Sequence, residues 1–245
     1  MTKPVFPLVW GSNPVPPDIR ERIKPPELSA VSRFGNALFE NRLLSRPLRR
    51  ILQMLRELAF YSQAYEVNPA ALRPEDHDFF RVFNCEVEHQ LLSYAYSESE
   101  STGALNTPAA SNLHIIETLA RTASICYINY LLIVSPPSSG LGRALTKHLK
   151  RAVSNCTLLV LSQLPKENYK LLTWALFVGA QGSTGQIEHH WFVEQLARVA
   201  MIHRLYNWEQ VSDLLDEYLY VPRVQGLIWK SIWDTAMAVI GITDD

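Results

Sequence analysis

The sequence predicts an all-α fold, a single helical domain of about eight packed helices behind a proline-rich N-terminal arm. Three observations carry this expectation. Apolar residues recur three and four apart through most of the chain, the alternating pattern of a half-buried strand is scarce, and Pro, Gly and Ser gather in short punctuating stretches. No segment repeats at a fixed period. A chain of 245 residues with 47% hydrophobic and 19% charged side chains suits a globular domain with one substantial core better than a disordered tail or a membrane protein.

Residues 1–26 form the expected arm. "NPVPP" and "KPP" remove backbone donors and bias each preceding residue away from helix, which reads as extended chain. The helical domain follows over 27–245. From Leu48, the residues Ile51, Leu52, Leu55, Leu58 and Ala59 recur at helical spacing. Arg49, Arg50, Gln53, Arg56 and Glu57 occupy the opposite side, and Pro47 sits in the first turn, where proline is tolerated. A second helix runs from about Pro74 to Tyr94 on Phe79, Phe80, Phe83, Val87 and Leu91. A third runs from about Ala110 to Val134 on Leu113, Ile116, Ala120, Ala123, Tyr127 and Leu131.

Between these two, "SESESTGALNTPAAS" (97–111) has too little apolar area to offset its ordering entropy and predicts a mobile loop. After "SPPSSG" (135–140), Leu141, Ala144, Leu145, His148, Leu149 and Ala152 mark a helix whose other face carries Arg143, Lys147, Lys150 and Arg151. The apolar run that begins "LLTWALFVG" at Leu171 stops at a loop holding Gly179, Gly182 and Gly185, passes Glu188-His189-His190 and re-enters a helical pattern. These glycines are expected to end the run by supplying positive φ. Near the C-terminus Asn207 is placed to cap "WEQVSDLLDEYLY", with Gln210 completing a capping-box-like arrangement and Trp208, Val211, Leu214, Leu215, Tyr218 and Leu219 as the buried stripe.

Several function classes are disfavoured by composition. The longest apolar candidate for a membrane span, "ICYINYLLIV" (125–134), has about half the ~18–20 residues required, so no membrane association is expected. "MTKPVFPLVWGSNPVPP" carries neither a basic n-region nor a continuous apolar stretch, which predicts a reducing compartment. The cysteines Cys85, Cys126 and Cys156 are odd in number and far apart, as expected of small buried apolar residues rather than of disulfides or a zinc site. A net charge of −1 supplies no global attraction to nucleic acid.

Each motif that could carry chemistry fails on spacing. A P-loop needs a second glycine and then lysine, but Thr184 stands five residues after Gly179 and no lysine follows. "GLGRAL" (140–145) starts like a dinucleotide fingerprint, yet Leu145 replaces the third glycine and no strand leads into it. "QGSTG" (181–185) resembles a nucleophile elbow around Ser183, with Gln181 in place of the first glycine and a helix in place of the strand. Glu188, His189, His190 and Glu194 lack further donors to complete a metal site, and Glu86 with His89 is a lone E-x-x-H where a di-iron bundle needs two. The basic face of Arg143, Lys147, Lys150 and Arg151 reads as the solvated side of its helix. Trp174, Trp191, Trp208, Trp229 and Trp233 read as core, with an aromatic ligand pocket as the alternative. No catalytic, cofactor-binding, metal-binding or DNA-binding residue is assigned, and no cofactor is expected.

Taken together, "LLTWALFVGAQGS", "WFVEQLARVA" and "NWEQVSDLLDEYLYVPRVQGLIW" resemble the C-terminal part of the regulatory domain of fungal zinc-cluster transcription factors. "RFGNALFENRLLSRPLRRILQMLREL" and "YLLIVSPPSSGLGRALTKHLKRAV" fit the same family, so the resemblance runs from about Arg33 to about Trp233. Two places differ from the family's pattern: Tyr220 stands where a tryptophan is common, and Ile187 to His190 where a short basic turn is common.

This resemblance implies a regulatory domain, not an enzyme, that senses an effector or binds partners in the nucleus, with the cytoplasm as a second location. Implied partners are proteins of the transcription machinery or a second copy, with a small-molecule effector, no membrane and no direct nucleic-acid contact. The family's six-cysteine zinc cluster is missing from these residues, so no zinc ligand carries over. A helical enzyme or small-molecule carrier with an aromatic pocket is the alternative.

Overall fold

A computed structural model describes residues 15–24, 33–94, 108–131, 135–160 and 168–241. Among them lie ten α-helices and no strand, so the all-α expectation holds with two helices more than expected. They are α1 (Pro17–Ile23), α2 (Asn36–Phe39), α3 (Arg46–Val67), α4 (Pro74–Ser93), α5 (Pro108–Leu131), α6 (Gly140–Val160), α7 (Asn168–Gly182), α8 (Glu188–His203), α9 (Trp208–Leu215) and α10 (Pro222–Val239). The expected mobile loop falls outside the described residues over 97–107, whereas Pro108 to Ser111 already belong to α5. The end of the third expected helix, 132–134, also falls outside them.

Helix α7 organises the packing. Leu171 through Ala180 are all buried, as suits a helix that is apolar on every side. It packs against α5, α6, α8 and α10, and α10 returns to α3, closing the C-terminal half onto the N-terminal half. Start signals agree with the local sequence. Ser45 caps α3 by accepting from the Leu48 amide at 3.3 Å. Asn207 caps α9 by accepting from the Gln210 amide at 2.9 Å, while the Gln210 side chain accepts from the Tyr206 amide at 2.9 Å.

Helix α9 is shorter than its sequence stripe. It stops at Leu215 in a turn where the Tyr218 amide donates to the Leu215 carbonyl at 2.8 Å, and the following segment carries Tyr218, Leu219, Tyr220 and Val221 into the core. The backbone carbonyls freed there are used elsewhere. Glu217 and Tyr218 accept from the Ala37 and Gly35 amides at the start of α2, and Leu219 accepts from the Trp174 indole at 3.1 Å.

Three expectations need correction. The arm is not wholly extended: Pro17 can occupy the first turn of a helix, and α1 buries Ile19 and Ile23, with Val15 just before it. Residues 1–14 and 25–26 of the arm lie outside the described residues. Glu57, expected on the solvated face of α3, is only 4% exposed because α1 covers that side. Cys85 is exposed, whereas Cys126 and Cys156 are buried as expected.

Candidate functional site

The loop after α7 is where the sequence raises the sharpest chemical question, and its side chains are engaged in ending that helix. A helix leaves its last four carbonyls without intrahelical partners. At α7 these belong to Gly179, Ala180, Gln181 and Gly182, and loop side chains reach all four. The Ser183 hydroxyl donates to Gly179 at 2.7 Å and lies 3.1 Å from the Ala180 oxygen, and His189 Nδ1 lies 2.9 Å from that same oxygen. The Thr184 hydroxyl donates to Gln181 at 2.8 Å. The Gly182 oxygen takes Gln186 Nε2 at 3.0 Å, the Thr146 hydroxyl at 3.1 Å and the Tyr130 hydroxyl at 3.3 Å. Donors from α5 and α6 thus converge on one carbonyl of α7 and pin three helices together.

The glycines divide into two kinds. Only Gly185 has positive φ, at 75°, and nothing stands near the Cβ it lacks. Gly179 and Gly182 are helical and small because rings press on them. A Cβ would lie 2.2 Å from Phe192 Cε1 at Gly179 and 2.0 Å from the Tyr130 hydroxyl at Gly182. The expectation that all three supply a turn is therefore right only for Gly185. Close approach of another helix dictates the other two.

Ser183 is fully buried, with its hydroxyl turned back onto its own helix. Its replacement by alanine is expected to cost about 1 kcal/mol, one intramolecular hydrogen bond, because the Ser183 amide still serves Gly179 and Ala180. His190→Ala should stay within about 0.5 kcal/mol of wild type, since His190 is 73% exposed and, among the described residues, pairs with Glu194 at 3.2 Å. Thermal melts of the two variants check both values.

The remaining motifs disperse. Glu188 is buried, while His189 turns to Ala180 and His190 to Glu194. Among the described residues no three His, Cys, Asp or Glu side chains form a metal-holding group. Glu86 accepts from Gln90 at 2.6 Å, and His89 is exposed. Burial pushes the Cys126 and Cys156 thiols up to about 12, which keeps them protonated at neutral pH. Arg143, Lys147 and Arg151 are exposed. Lys150 lies 5.0 Å over the ring of Trp191, which is half-buried at the edge of the core rather than inside it. No described helix is long and apolar enough to cross a membrane.

Trp174, Trp229 and Trp233 belong to one core, with Trp208 and Trp191 half-buried against it. Trp174 packs between Tyr127 and Tyr218, with ring centroids 5.9 and 6.0 Å away. Trp229 stacks on Phe177 at 5.2 Å and on Tyr220 at 5.1 Å, and Trp208 closes the group edge-on to both of those rings. Trp229 Nε1 donates to Gln181 at 2.6 Å, tying α10 to the end of α7. The rings fill one another's faces. Burial, followed by the nearby Asp216 charge, pushes the Tyr220 hydroxyl up to about 12.

Sequence reasoning missed three buried carboxylates. Glu117 accepts from the Ser45 amide at 2.5 Å and from the Tyr94 hydroxyl at 3.2 Å, placing a carboxyl group at the start of α3. Its place inside the apolar run "IIETLA" was the available signal. Asp76 accepts from its own Arg73 amide at 3.0 Å and from Arg22 of α1. Its third-residue position in α4, after Arg73 and Pro74, marks it as a capping residue. Glu57 faces Arg20 of α1 at 3.7 Å, and nothing in its local pattern marks it as buried.

These environments shift the last two carboxyls in opposite directions. The Arg22 hydrogen bond holds Asp76 below its ordinary value, so its contribution to stability is present above pH 3.8 and is lost as pH falls through the depressed value. Burial raises Glu57, with Arg20 and Arg56 opposing, so its contribution is present below pH 4.5 and is lost as pH rises through the raised value. Glu57→Gln should therefore melt at or above wild type at pH 7, with the difference shrinking toward pH 4.5. A lower melting temperature at pH 7 would contradict this.

Compared with protein families, curated proteins and solved structures, the chain finds no match.

Proposed function

We propose that the chain is the regulatory domain of a fungal zinc-cluster type transcription factor, acting without a zinc cluster in these residues. It engages protein partners of the transcription machinery or a second copy, responds to a small-molecule effector, works in the nucleus, and neither contacts nucleic acid directly nor catalyses a reaction. One observation carries this reading. The segments with the most specific resemblance, Leu172 to Gly182 and Trp208 to Trp229, fold as a self-filled aromatic core, and the side chains between them that could have done chemistry cap α7 instead. That is the behaviour of a scaffold. Tethered to an unrelated DNA-binding module, the domain is expected to change transcription of a reporter relative to the module alone. No change under any growth condition would count against it.

A helical carrier of a polar small molecule is the second reading, favoured by buried polar atoms that lack hydrogen-bond partners: the Tyr127 hydroxyl, both amide atoms of Asn129 and the Trp233 indole nitrogen. A bound molecule would satisfy such groups.

A further inference from the structure

Helix α1 is seven residues long, too short to be stable in water by itself, so its helicity comes from what it lies on. Val15, Ile19 and Ile23, spaced four apart, point one apolar stripe into the core, and α1 packs on α3. Two arginines flank the stripe, each matched to a buried carboxylate. Arg22 meets Asp76 through two parallel hydrogen bonds of 2.8 and 2.6 Å, and the Asp76 side chain is 2% exposed. Arg20 fastens its own segment by donating to the Val15 carbonyl at 2.8 Å and presents Nε to Glu57.

The second pairing is incomplete. At 3.7 Å Arg20 Nε pairs with Glu57 without a hydrogen bond, and Glu57 Oε2, Arg20 Nε and Arg56 Nε are all buried without hydrogen-bond partners. Water would satisfy Arg20 Nε and Glu57 Oε2 when α1 lifts away, so undocking regains solvation that a wholly apolar contact would not. The interface therefore combines apolar attachment, a charge pattern that fixes register, and a built-in incentive to release.

We propose that the face of α3, together with the start of α4, is a docking socket for a short amphipathic helix carrying arginines two residues apart. Helix α1 is its exchangeable occupant, and the socket admits a competing segment of the same pattern when α1 undocks. Recognition follows the helix-in-groove mode, with Ile19 and Ile23 as anchors and Asp76 selecting the arginine.

The test uses the full chain and a fluorescein-labelled peptide of residues 14–26. Wild-type chain should bind the peptide weakly, because its own α1 competes. The Arg22→Glu chain, whose plug has lost its partner, should bind the wild-type peptide at least about tenfold more tightly. Peptide carrying Arg22→Glu should bind neither chain. Equal binding of both peptides, or no gain in the Arg22→Glu chain, would overturn the socket.

Should Arg22→Glu fail to fold, hydrogen exchange on the wild-type chain decides. The Arg20 and Lys24 amides, bonded to Pro16 and Arg20 carbonyls, should exchange at least about a hundredfold faster than those of α7. Equal protection would make α1 part of the cooperative core and end the proposal.

Discussion

Trp174→Ala and Trp229→Ala are each expected to remove about 3 to 5 kcal/mol of stability, enough to unfold a domain of ordinary stability or bring it close. Both side chains are fully buried, and neither cavity can collapse easily. Around Trp174 stand Tyr127 and Tyr218, themselves buried rings. Its indole also supplies the donor for the Leu219 carbonyl, so alanine leaves a buried acceptor without that partner in the segment joining α9 to α10. Trp229 is held between Phe177 and Tyr220 and donates to Gln181, so its loss loosens α10 from α7 as well as opening a void. Denaturant melts followed by circular dichroism measure both. A wild-type midpoint for either variant would contradict the shared core.

Gly179→Ala is the second large effect, and its direction opposes helix propensity. Alanine in mid-helix is worth about 1 kcal/mol over glycine. Against that gain, the new methyl would sit 2.2 to 2.7 Å from three atoms of the Phe192 ring. Phe192 is fully buried and braced edge-on by Trp191 at 5.0 Å, so it cannot swing aside cheaply. Overpacking of this kind costs about 1 to 3 kcal/mol or more, and net destabilisation is expected. Gly179→Ala combined with Phe192→Leu should recover part of the loss, because the leucine vacates the ring's outer atoms. A Gly179→Ala variant more stable than wild type would show that α7 and α8 are not in the contact described.

Periodicity made the helices legible, because the stripes of α3, α4, α5 and α9 repeat what packing demands of a buried face, whereas in α6 the expected Leu141, Ala144 and His148 are exposed and Thr146, Val153 and Cys156 turn inward instead. The Asn207 cap was legible because its donors and acceptors lie within four residues. What escaped was decided by distant chain. Glu57 lies on the polar side of α3 by its own pattern, and α1, more than thirty residues away, packs against that side. Gly179 and Gly182 look like turn residues until Phe192 and Tyr130 arrive against them. The proline-rich arm hid α1, since proline at a helix start reads locally like proline in extended chain. For the loop, rejecting motifs on spacing excluded particular chemistries. It did not reveal that Ser183, Thr184, Gln186 and His189 share the work of closing α7, because that depends on carbonyls whose positions only the folded chain defines.

We propose a folded regulatory scaffold with no reaction at the glycine loop. Its most direct test is the tethered reporter carrying the Ser183→Ala/His190→Ala double variant, with fold monitored by melting of the purified chain. Transcriptional output equal to the unsubstituted domain is the expected result, with Trp174→Ala abolishing output by unfolding. A double variant that stays folded and loses all output, or a purified chain whose turnover of a substrate disappears with Ser183→Ala, would contradict it.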